Sequence, residues 1–420
     1  MEPTPETQQQ PQEYHKKPYE QKEEEWDDSL FESNWNEQIE RFEDMGLKKN
    51  LLRGIFGYGF ETPSVIQQKA IKPLTLKKDI IAQAQSGSGK TATFSIGMLQ
   101  NVDNQDLKTQ ALVLAPTREL AAQIFEVISS LGAFLEVKVV LLVGGTELKK
   151  NKIELKEGCH VVVGTPGRVN DLINRKYLNT EFLKMLIVDE ADEMLGLGFL
   201  EQINDVIKNI PPLCQIALFS ATILPDIIKL TENIMNEPVK ILVKKENLTL
   251  EGIKQYFVSC QSEDVKYDNL FEIFGNIDLA QCFIYTNTKD KVERIAEKMI
   301  ENGFEVECIH GKLEQEKRNN AMRQFREGAV RILISTDLTG RGIDVHQVGL
   351  VINFELPTRK ETYIHRIGRS GRYGRRGIAI NLVNYHELSQ MTRIQEFYNT
   401  QILELPTDLC LLYTSDAADE

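Results

Sequence analysis

Two short segments, about a hundred residues apart, carry the residue types that bind a polyphosphate and a metal ion. The first is a glycine-rich run between the apolar residues 80–82 and a helical pattern. A strand, a glycine-rich turn and a helix start together place backbone N–H groups and a helix dipole around phosphates. We expect Lys90 to reach the β and γ phosphates and Thr91 to ligate Mg²⁺. The run consists of Ala84, Gln85, Ser86, Gly87, Ser88, Gly89, Lys90 and Thr91.

The second segment is acidic and follows the apolar residues 185–188, which have the pattern of a buried strand. Its carboxylates therefore lie at the carboxyl end of a strand, where ligands bind in open α/β sheets. We expect Asp189 to hold Mg²⁺ through its water shell and Glu190 to position and activate the attacking water. The two segments predict nucleotide binding and hydrolysis. Ala84 departs from the general phosphate-loop pattern, which begins with glycine.

A chain of 420 residues is longer than a domain with one ordinary hydrophobic core, so we predict two domains with tails. No apolar run reaches the roughly 18–20 residues of a membrane span, and the polar, acidic start does not resemble a signal peptide. The six cysteines show neither CxxC pairing nor metal-ligand spacing. We interpret them as reduced thiols of an intracellular protein with no membrane segment.

The net charge of -13 is placed mainly at the two ends of the chain. Residues 1–40 hold twelve acidic residues and three lysines, and the last ten residues hold Asp416, Asp419 and Glu420. The long middle part is close to neutral. Overall acidity therefore does not exclude an RNA partner, although binding would depend on a local groove rather than on the field of the whole protein.

The middle of the chain contains two series of short apolar runs that alternate with helical patterns. The first series covers 111–115, 139–143, 160–163, 185–189 and 216–220, and the second covers 281–286, 305–309, 331–335, 349–353 and 378–383. Such runs predict parallel sheets covered by helices on both faces. We therefore predict an α/β fold of two tandem domains joined by a short linker. The predicted parts are a disordered acidic tail (1–35), an ATP-binding domain (36–243), a linker (244–252), a C-terminal domain (253–409) and a non-native tail (410–420).

The second half of the chain offers the positive charge that hydrolysis of a nucleotide requires. Arg369 and Arg372 are three residues apart on a segment interrupted by Gly368 and Gly371, which allow close approach of the backbone to a ligand. The first half has no obvious arginine of this kind. We therefore expect Arg369 and Arg372 to act across the domains on the γ-phosphate, so that hydrolysis requires domain closure.

Three segments, taken in their order along the chain, resemble the DEAD-box RNA helicases: Asp189–Asp192, Ser220–Thr222 and His365–Arg372. The resemblance extends from about Phe42 to Leu409. It implies two RecA-like domains, ATP and Mg²⁺ as cofactors, and single-stranded RNA or mRNA as the partner. The implied activity is RNA-stimulated ATP hydrolysis with unwinding of short duplexes.

The resemblance also implies roles for individual residues. It makes Phe42 and Gln67 the elements that recognise adenine, since an aromatic ring stacks on the base and an amide pairs with its N6 and N7. Further residues contacting the nucleotide would be Gly342 and Asp344, the latter at the ribose. Coupling between nucleotide and RNA would run through Asp192, Ser220, Thr222 and His365.

The segments that resemble RNA-contacting motifs of the family contain arginines, hydroxyls and bare N–H groups but few aromatic residues. Such groups contact phosphate and sugar, which carry no base information, so we predict binding without sequence preference. The expected contact residues are Pro116, Thr117, Arg118, Gly144, Gly145, Thr165, Pro166, Gly167, Arg168 and Thr336. Two residues depart from the family pattern: Gly340 replaces its usual alanine, and Lys312 replaces its usual acid.

Within the family, residues 33–37, 51–55, 82–85, 241–252 and 398–400 resemble the branch that acts in translation initiation. This implies a monomeric, cytoplasmic protein that unwinds mRNA leaders. Its implied partners are a scaffold protein of the factor 4G type and an RNA-binding stimulator. The alternative is a nuclear clamp of the exon-junction type, which uses ATP as a lock. A third interpretation, a metabolic ATPase or kinase, predicts turnover that does not depend on RNA.

Overall fold

The computed structural model describes residues 31–84, 87–223, 225–243, 253–276, 281–337, 348–370 and 377–406. Several sequence predictions fall outside these ranges: most of the acidic tail, the linker, the last residues, and the site residues Gln85, Ser86, Gly342, Asp344 and Arg372.

The first half of the chain forms an eight-stranded sheet in the order β1-β8-β2-β7-β6-β3-β5-β4. Its strands are β1 Phe31–Ser33, β2 Ile80–Gln83, β3 Ala111–Leu114, β4 Val139–Leu142, β5 Val161–Gly164, β6 Met185–Val188, β7 Gln215–Ser220 and β8 Val239–Val243. All neighbouring strands are parallel except the antiparallel pair β1 and β8. The helices are α1 Lys49–Tyr58, α2 Val65–Thr75, α3 Lys90–Asn101, α4 Arg118–Leu131, α5 Leu148–Glu157, α6 Pro166–Asn174, α7 Ala191–Gly196, α8 Leu200–Lys208 and α9 Pro225–Ile234, with short 3₁₀ turns at Phe42–Met45 and Ala133–Leu135.

The second half forms a seven-stranded sheet in the order β11-β12-β10-β13-β14-β9-β15, with all its neighbours parallel. Its strands are β9 Ile253–Cys260, β10 Gln281–Tyr285, β11 Val306–Ile309, β12 Ile332–Ser335, β13 Val348–Asn353, β14 Gly377–Asn384 and β15 Leu403–Glu404. The helices are α10 Glu263–Asn276, α11 Lys289–Glu301, α12 Gln315–Arg326, α13 Lys360–Ile367 and α14 Leu388–Tyr398, with a 3₁₀ turn at Tyr385–Glu387. The prediction of two parallel, helix-covered sheets is confirmed, and each predicted apolar run coincides with a strand.

Each sheet has a hydrophobic core on both faces, as continuous apolar strands require. In the first sheet, strands β2, β3, β5, β6 and β7 are buried along their whole length. Because β2, β7 and β6 are neighbours, their carboxyl ends bring three distant chain segments together: the phosphate loop, Ser220–Thr222 and Asp189–Asp192. No helix of the described residues is long and apolar enough to cross a membrane.

The structure departs from the predicted boundary of the N-terminal tail. Residues 31–33 pair with β8 in the register Phe31 to Val243 and Ser33 to Ile241, although the tail was predicted to continue to residue 35. Asn34 adds hydrogen bonds to Pro238 and Lys240. Without β1, strand β8 would be the edge of the sheet, and pairing with its backbone groups orders a segment whose own apolar pattern is weak.

Helix α1 packs against α4 through a glycine. A Cβ atom added to Gly54 would lie 2.1 Å from the carbonyl oxygen of Leu131, the last residue of α4. Since the obstacle is backbone, the two helices would have to move apart. A Cβ atom at Gly57 of the same helix would meet only Phe134, at 3.7 Å.

We therefore expect Gly54→Ala to lower the free energy of unfolding of the first domain by about 1–3 kcal/mol, the usual cost of overpacking. Gly57→Ala is the matched control and should be neutral or stabilising by up to ~1 kcal/mol, since alanine favours a helix over glycine. Urea unfolding followed by circular dichroism measures both variants. Equal stability of the two would contradict the packing described here.

Candidate nucleotide and RNA site between two domains

The phosphate loop connects the buried strand β2 to the start of α3. Gly87 and Gly89 have φ angles of 87° and 94°, in the left-handed region that favours glycine. Gly89 precedes the first residue of α3, Lys90. The backbone N–H of Ala84 donates to Ser220 O at 3.1 Å, so the loop begins attached to β7. This is the strand, turn and helix arrangement that phosphate binding requires.

The two predicted adenine-recognition residues lie in different surroundings. Gln67 is buried beside the phosphate loop, where its Oε1 accepts from Ser64 N at 2.9 Å and its Nε2 lies 3.5 Å from Gly89 O. Phe42 is 0 % exposed and belongs to the hydrophobic core of the first domain, where the 3₁₀ turn also buries Met45. Its contact with adenine stays a prediction.

The acidic segment after β6 places carboxylates next to the phosphate-binding lysine. Lys90 Nζ forms a buried ion pair with Glu190 Oε1 at 3.0 Å. Glu190 adopts a left-handed conformation with φ of 51°, which is strained for a residue with a side chain. Burial and the adjacent Glu190 charge raise the pKa of Asp189 to about 7, against the opposing effect of Lys90.

The charge balance of this cluster fits a divalent cation. Asp189 and Glu190 are both buried, and Lys90 is the cation paired with them among the described contacts. Hard oxygen donors such as Asp189 and the Thr91 hydroxyl suit Mg²⁺. A different set, Glu190, Asp192 and His365, has its ligand atoms within 4.8 Å of one another. Asp192 and His365 are hydrogen-bonded to each other, however, so we assign this set to contact between the domains.

Asp192 is the point at which the two domains meet on the nucleotide side. Its Oδ2 accepts from Thr222 Oγ1 at 2.7 Å and lies 3.1 Å from His365 Nε2 of the second domain. Its backbone N–H donates to Ser220 Oγ at 3.3 Å. Both Asp192 and His365 are almost completely buried. The four residues expected to couple the domains are therefore close together, with Asp192 bonded directly to His365 and Ser220 and Thr222 bonded to Asp192 from its own domain.

Arg369, one of the two predicted trans-domain arginines, is buried close to this contact, and its Nε donates to His365 O at 3.1 Å. Sequence reasoning missed the role of Arg366, which is fully buried. Its guanidinium donates to Asp337, to Asn287 Oδ1 at 2.8 Å and to Glu355 O at 2.7 Å. These acceptors follow β12, β10 and β13, so Arg366 holds three strand ends together beneath the domain contact. In the sequence, the signal available for this role was a polar residue shortly after each of three predicted strands, namely Asn287, Asp337 and Glu355.

A second domain contact lies at the start of α4, among residues predicted to bind RNA. Arg118 NH1 donates to Gln315 Oε1 at 3.2 Å, and Glu119 Oε1 pairs with Arg318 NH1 at 3.2 Å. Burial, and after it the charges of Arg318 and Arg168, lower the pKa of Arg118, and the charge of Glu119 opposes them. Sequence reasoning missed Glu119, Gln315 and Arg318, although the spacing of the last two places them on one face of α12.

The remaining predicted RNA residues surround the same face of the first domain. Gly144 and Gly145 lie against the Arg118 guanidinium, and a Cβ atom at Gly145 would come within 2.3 Å of its NH1. Arg168 donates to Asn151 Oδ1 at 2.7 Å and to Thr146 O at 3.1 Å. The other residues predicted to contact RNA lie at the starts of two helices. Pro116 and Thr117 directly precede α4, and Thr165, Pro166 and Gly167 lie at the start of α6.

A cleft of about 340 Å³ between the domains includes the predicted RNA residue Thr336. Glu193 and Leu197 line it from the first domain. The second domain contributes Asn287, Lys289, His310, Gly311, Lys312, Thr336 and Asp337. Lys312, the residue that departs from the family pattern, is exposed at this cleft, where Lys289 lowers its pKa.

Two family models match the chain, one in each domain. The model for DEAD/DEAH box helicases covers residues 64–230, and the model for the helicase conserved C-terminal domain covers residues 265–374. The first match contains the phosphate loop and Asp189–Asp192, and the second contains His365 and Arg369. The matched regions therefore include the residues that meet across the domain boundary.

Curated relatives and a solved structure extend the similarity over nearly the whole chain. The ATP-dependent RNA helicase eIF4A of Lodderomyces elongisporus is 52% identical over 92% of this chain and 98% of its own length. Eukaryotic initiation factor 4A of Caenorhabditis elegans is 50% identical over 91% of this chain and 95% of its own length. The structure of S. cerevisiae Dbp5 bound to RNA and ADP BeF3 is 36% identical, covers 88% of this chain and 96% of that one, and has a TM-score of 0.83. With its tandem RecA-like domains and these relatives, the chain belongs to the initiation factor 4A group of DEAD-box ATP-dependent RNA helicases.

Proposed function

We propose that this helicase closes its two domains around single-stranded RNA when ATP binds, separates short duplexes locally, and opens again after hydrolysis. The observation that carries the proposal is the shared Asp192 carboxylate, which joins Thr222 of one domain to His365 of the other. Nucleotide binding next to Asp192 and RNA binding next to Arg118 then favour the same closed arrangement. Such coupling is reciprocal, so ATP should raise RNA affinity by the same factor as RNA raises ATP affinity.

In the proposed nucleotide site, the loop N–H groups and Lys90 bind the phosphates, and Thr91 and Asp189 hold Mg²⁺, the latter through water. When bound, the metal neutralises charge on the β and γ phosphates. Glu190 orients the attacking water. It becomes available for this role when the bound phosphates replace it as the partner of Lys90. Gln67 contacts adenine from its place beside the loop. Arg369 supplies positive charge from the second domain, and Arg372, Gly342 and Asp344 remain predictions for residues outside the described ranges.

In the proposed RNA site, the starts of α4 and α6 and the turn at Gly144 and Gly145 bind phosphate and sugar. Thr336 contributes from the second domain. Arginine and backbone N–H groups at these positions read no base, so binding is independent of sequence. The contacts of Arg118 with Gln315 and of Glu119 with Arg318 link this surface to domain closure.

The biological role that we propose is unwinding of mRNA leaders in the cytoplasm during translation initiation, by a monomer that works with a scaffold of the factor 4G type and an RNA-binding stimulator. The names of the relatives support this role. A clamp that only locks on ATP is not favoured, because a relative that matches nearly the whole chain is named an ATP-dependent RNA helicase.

Glu190→Gln is expected to abolish hydrolysis while ATP-dependent RNA binding is retained. The substitution removes the group that activates water but keeps Lys90, the loop and the Asp192 contact. Fluorescence anisotropy of a labelled single strand, with and without ATP, measures binding, and phosphate release measures hydrolysis. Loss of RNA binding together with hydrolysis would contradict the role assigned to Glu190.

His365→Ala is expected to reduce RNA stimulation of the ATPase by an order of magnitude or more, because the second domain loses its hydrogen bond to Asp192 and leaves a buried carboxylate without that partner. ATP affinity in the absence of RNA should change little, since the loop, Lys90 and Asp189 are intact. Titration with a fluorescent ATP analogue and steady-state ATPase assays separate the two effects. His386→Ala, at an exposed histidine of the same domain, is the control. Full RNA stimulation in the His365 variant would contradict the coupling.

A further inference from the structure

The two helices that carry Asp192 and His365 also touch at their opposite ends. Gly196 is the last residue of α7, and Arg359 immediately precedes α13. A Cβ atom added to Gly196 would lie 1.5 Å from NH1 and 2.6 Å from Cζ of Arg359. The guanidinium of the second domain therefore occupies the space that any side chain at position 196 would need.

The two contacts lie at opposite ends of the pair formed by α7 and α13. Asp192, near the start of α7, meets His365, near the end of α13, whereas Gly196 at the end of α7 meets Arg359 before the start of α13. The Asp192–His365 hydrogen bond fixes one end of this helix pair, and the Gly196–Arg359 contact fixes the other end. The orientation matters because Arg366 lies on α13 and Arg369 follows it.

The electrostatics of the second contact are favourable. The end of a helix carries partial negative charge from carbonyls without intrahelical partners, and a cation there is stabilising. Glu361 Oε2 lies 3.7 Å from Arg359 Nε, and the arginine side chain is 39% exposed. An ion pair this exposed adds little energy.

We propose that Arg359, seated on Gly196, is a positioning residue that sets the angle of α13 in the closed state and so aims Arg369 at the nucleotide. The proposal rests on the proposed function, in which closure of the domains on RNA precedes hydrolysis. A Cβ atom at position 196 would push the guanidinium, the far end of a flexible side chain, away from the end of α7. The contact belongs to the closed arrangement, since its two partners come from different domains.

The test uses the full chain with Gly196→Ala, Arg359→Ala and the double variant, and measures ATPase activity against the concentration of a single-stranded RNA. Each single variant should raise the KM for RNA about 5- to 30-fold, the effect of losing 1–2 kcal/mol of closure energy. The kcat at saturating RNA should fall as well, because Arg369 is no longer aimed at the nucleotide even when RNA keeps the domains closed. The double variant should resemble the singles, because both substitutions remove one contact.

Controls separate this effect from damage to the fold. Gly275→Ala in α10 adds a Cβ atom with no neighbour within 4 Å and should leave KM for RNA unchanged. Thermal unfolding without ligands should not fall for Gly196→Ala, since alanine favours the helix. An unchanged KM for RNA in either single variant would overturn the proposal. Additive effects of the two substitutions on this KM in the double variant would also overturn it. ATP hydrolysis by the wild-type protein that does not depend on RNA would instead contradict the proposed function.

Discussion

The hydrogen bond between Asp192 and His365 is the interaction on which the closed structure depends. Both groups are buried, and Asp192 Oδ2 also accepts from Thr222. A carboxylate removed from water needs such partners, since an unpaired buried charge is costly. Because one of the partners belongs to the second domain, separation of the domains breaks a hydrogen bond of Asp192. Water or another group must then replace the lost partner. The position of the second domain is thereby linked to the acidic segment that faces the nucleotide.

The same segment combines the charges on which the proposed binding of a metal and a polyphosphate depends. Burial and the charge of Glu190 raise the pKa of Asp189, and Glu190 is paired with Lys90. A divalent cation stabilises the carboxylates, and phosphates compete for the lysine. The binding of both ligands would free Glu190 for water. Strand order makes this possible, because β2, β7 and β6 are neighbours and end at the same edge.

Contacts between the domains occur at three places with different chemistry. Asp192 and His365 form a buried hydrogen bond, Glu119 and Arg318 form a largely buried ion pair, and Gly196 accommodates Arg359 by the absence of a side chain. The first lies next to the nucleotide and the second lies among the proposed RNA contacts. The third lies at the other end of the two helices that carry Asp192 and His365. Closure therefore brings rigid elements of both proposed ligand sites together.

Local patterns were sufficient to predict the two parallel sheets, the phosphate loop and the acidic segment, because apolar periodicity and glycine positions are properties of neighbouring residues. The resemblance to the DEAD-box helicases related Asp192 to His365, which is more than these local patterns could do. They could not reveal that Phe42 turns into the core, that β8 recruits residues 31–33, or that Arg366 gathers three strand ends. Nor could they pair Gly196 with Arg359. These features depend on which groups meet after distant segments have packed, and burial and steric fit arise only in that packing.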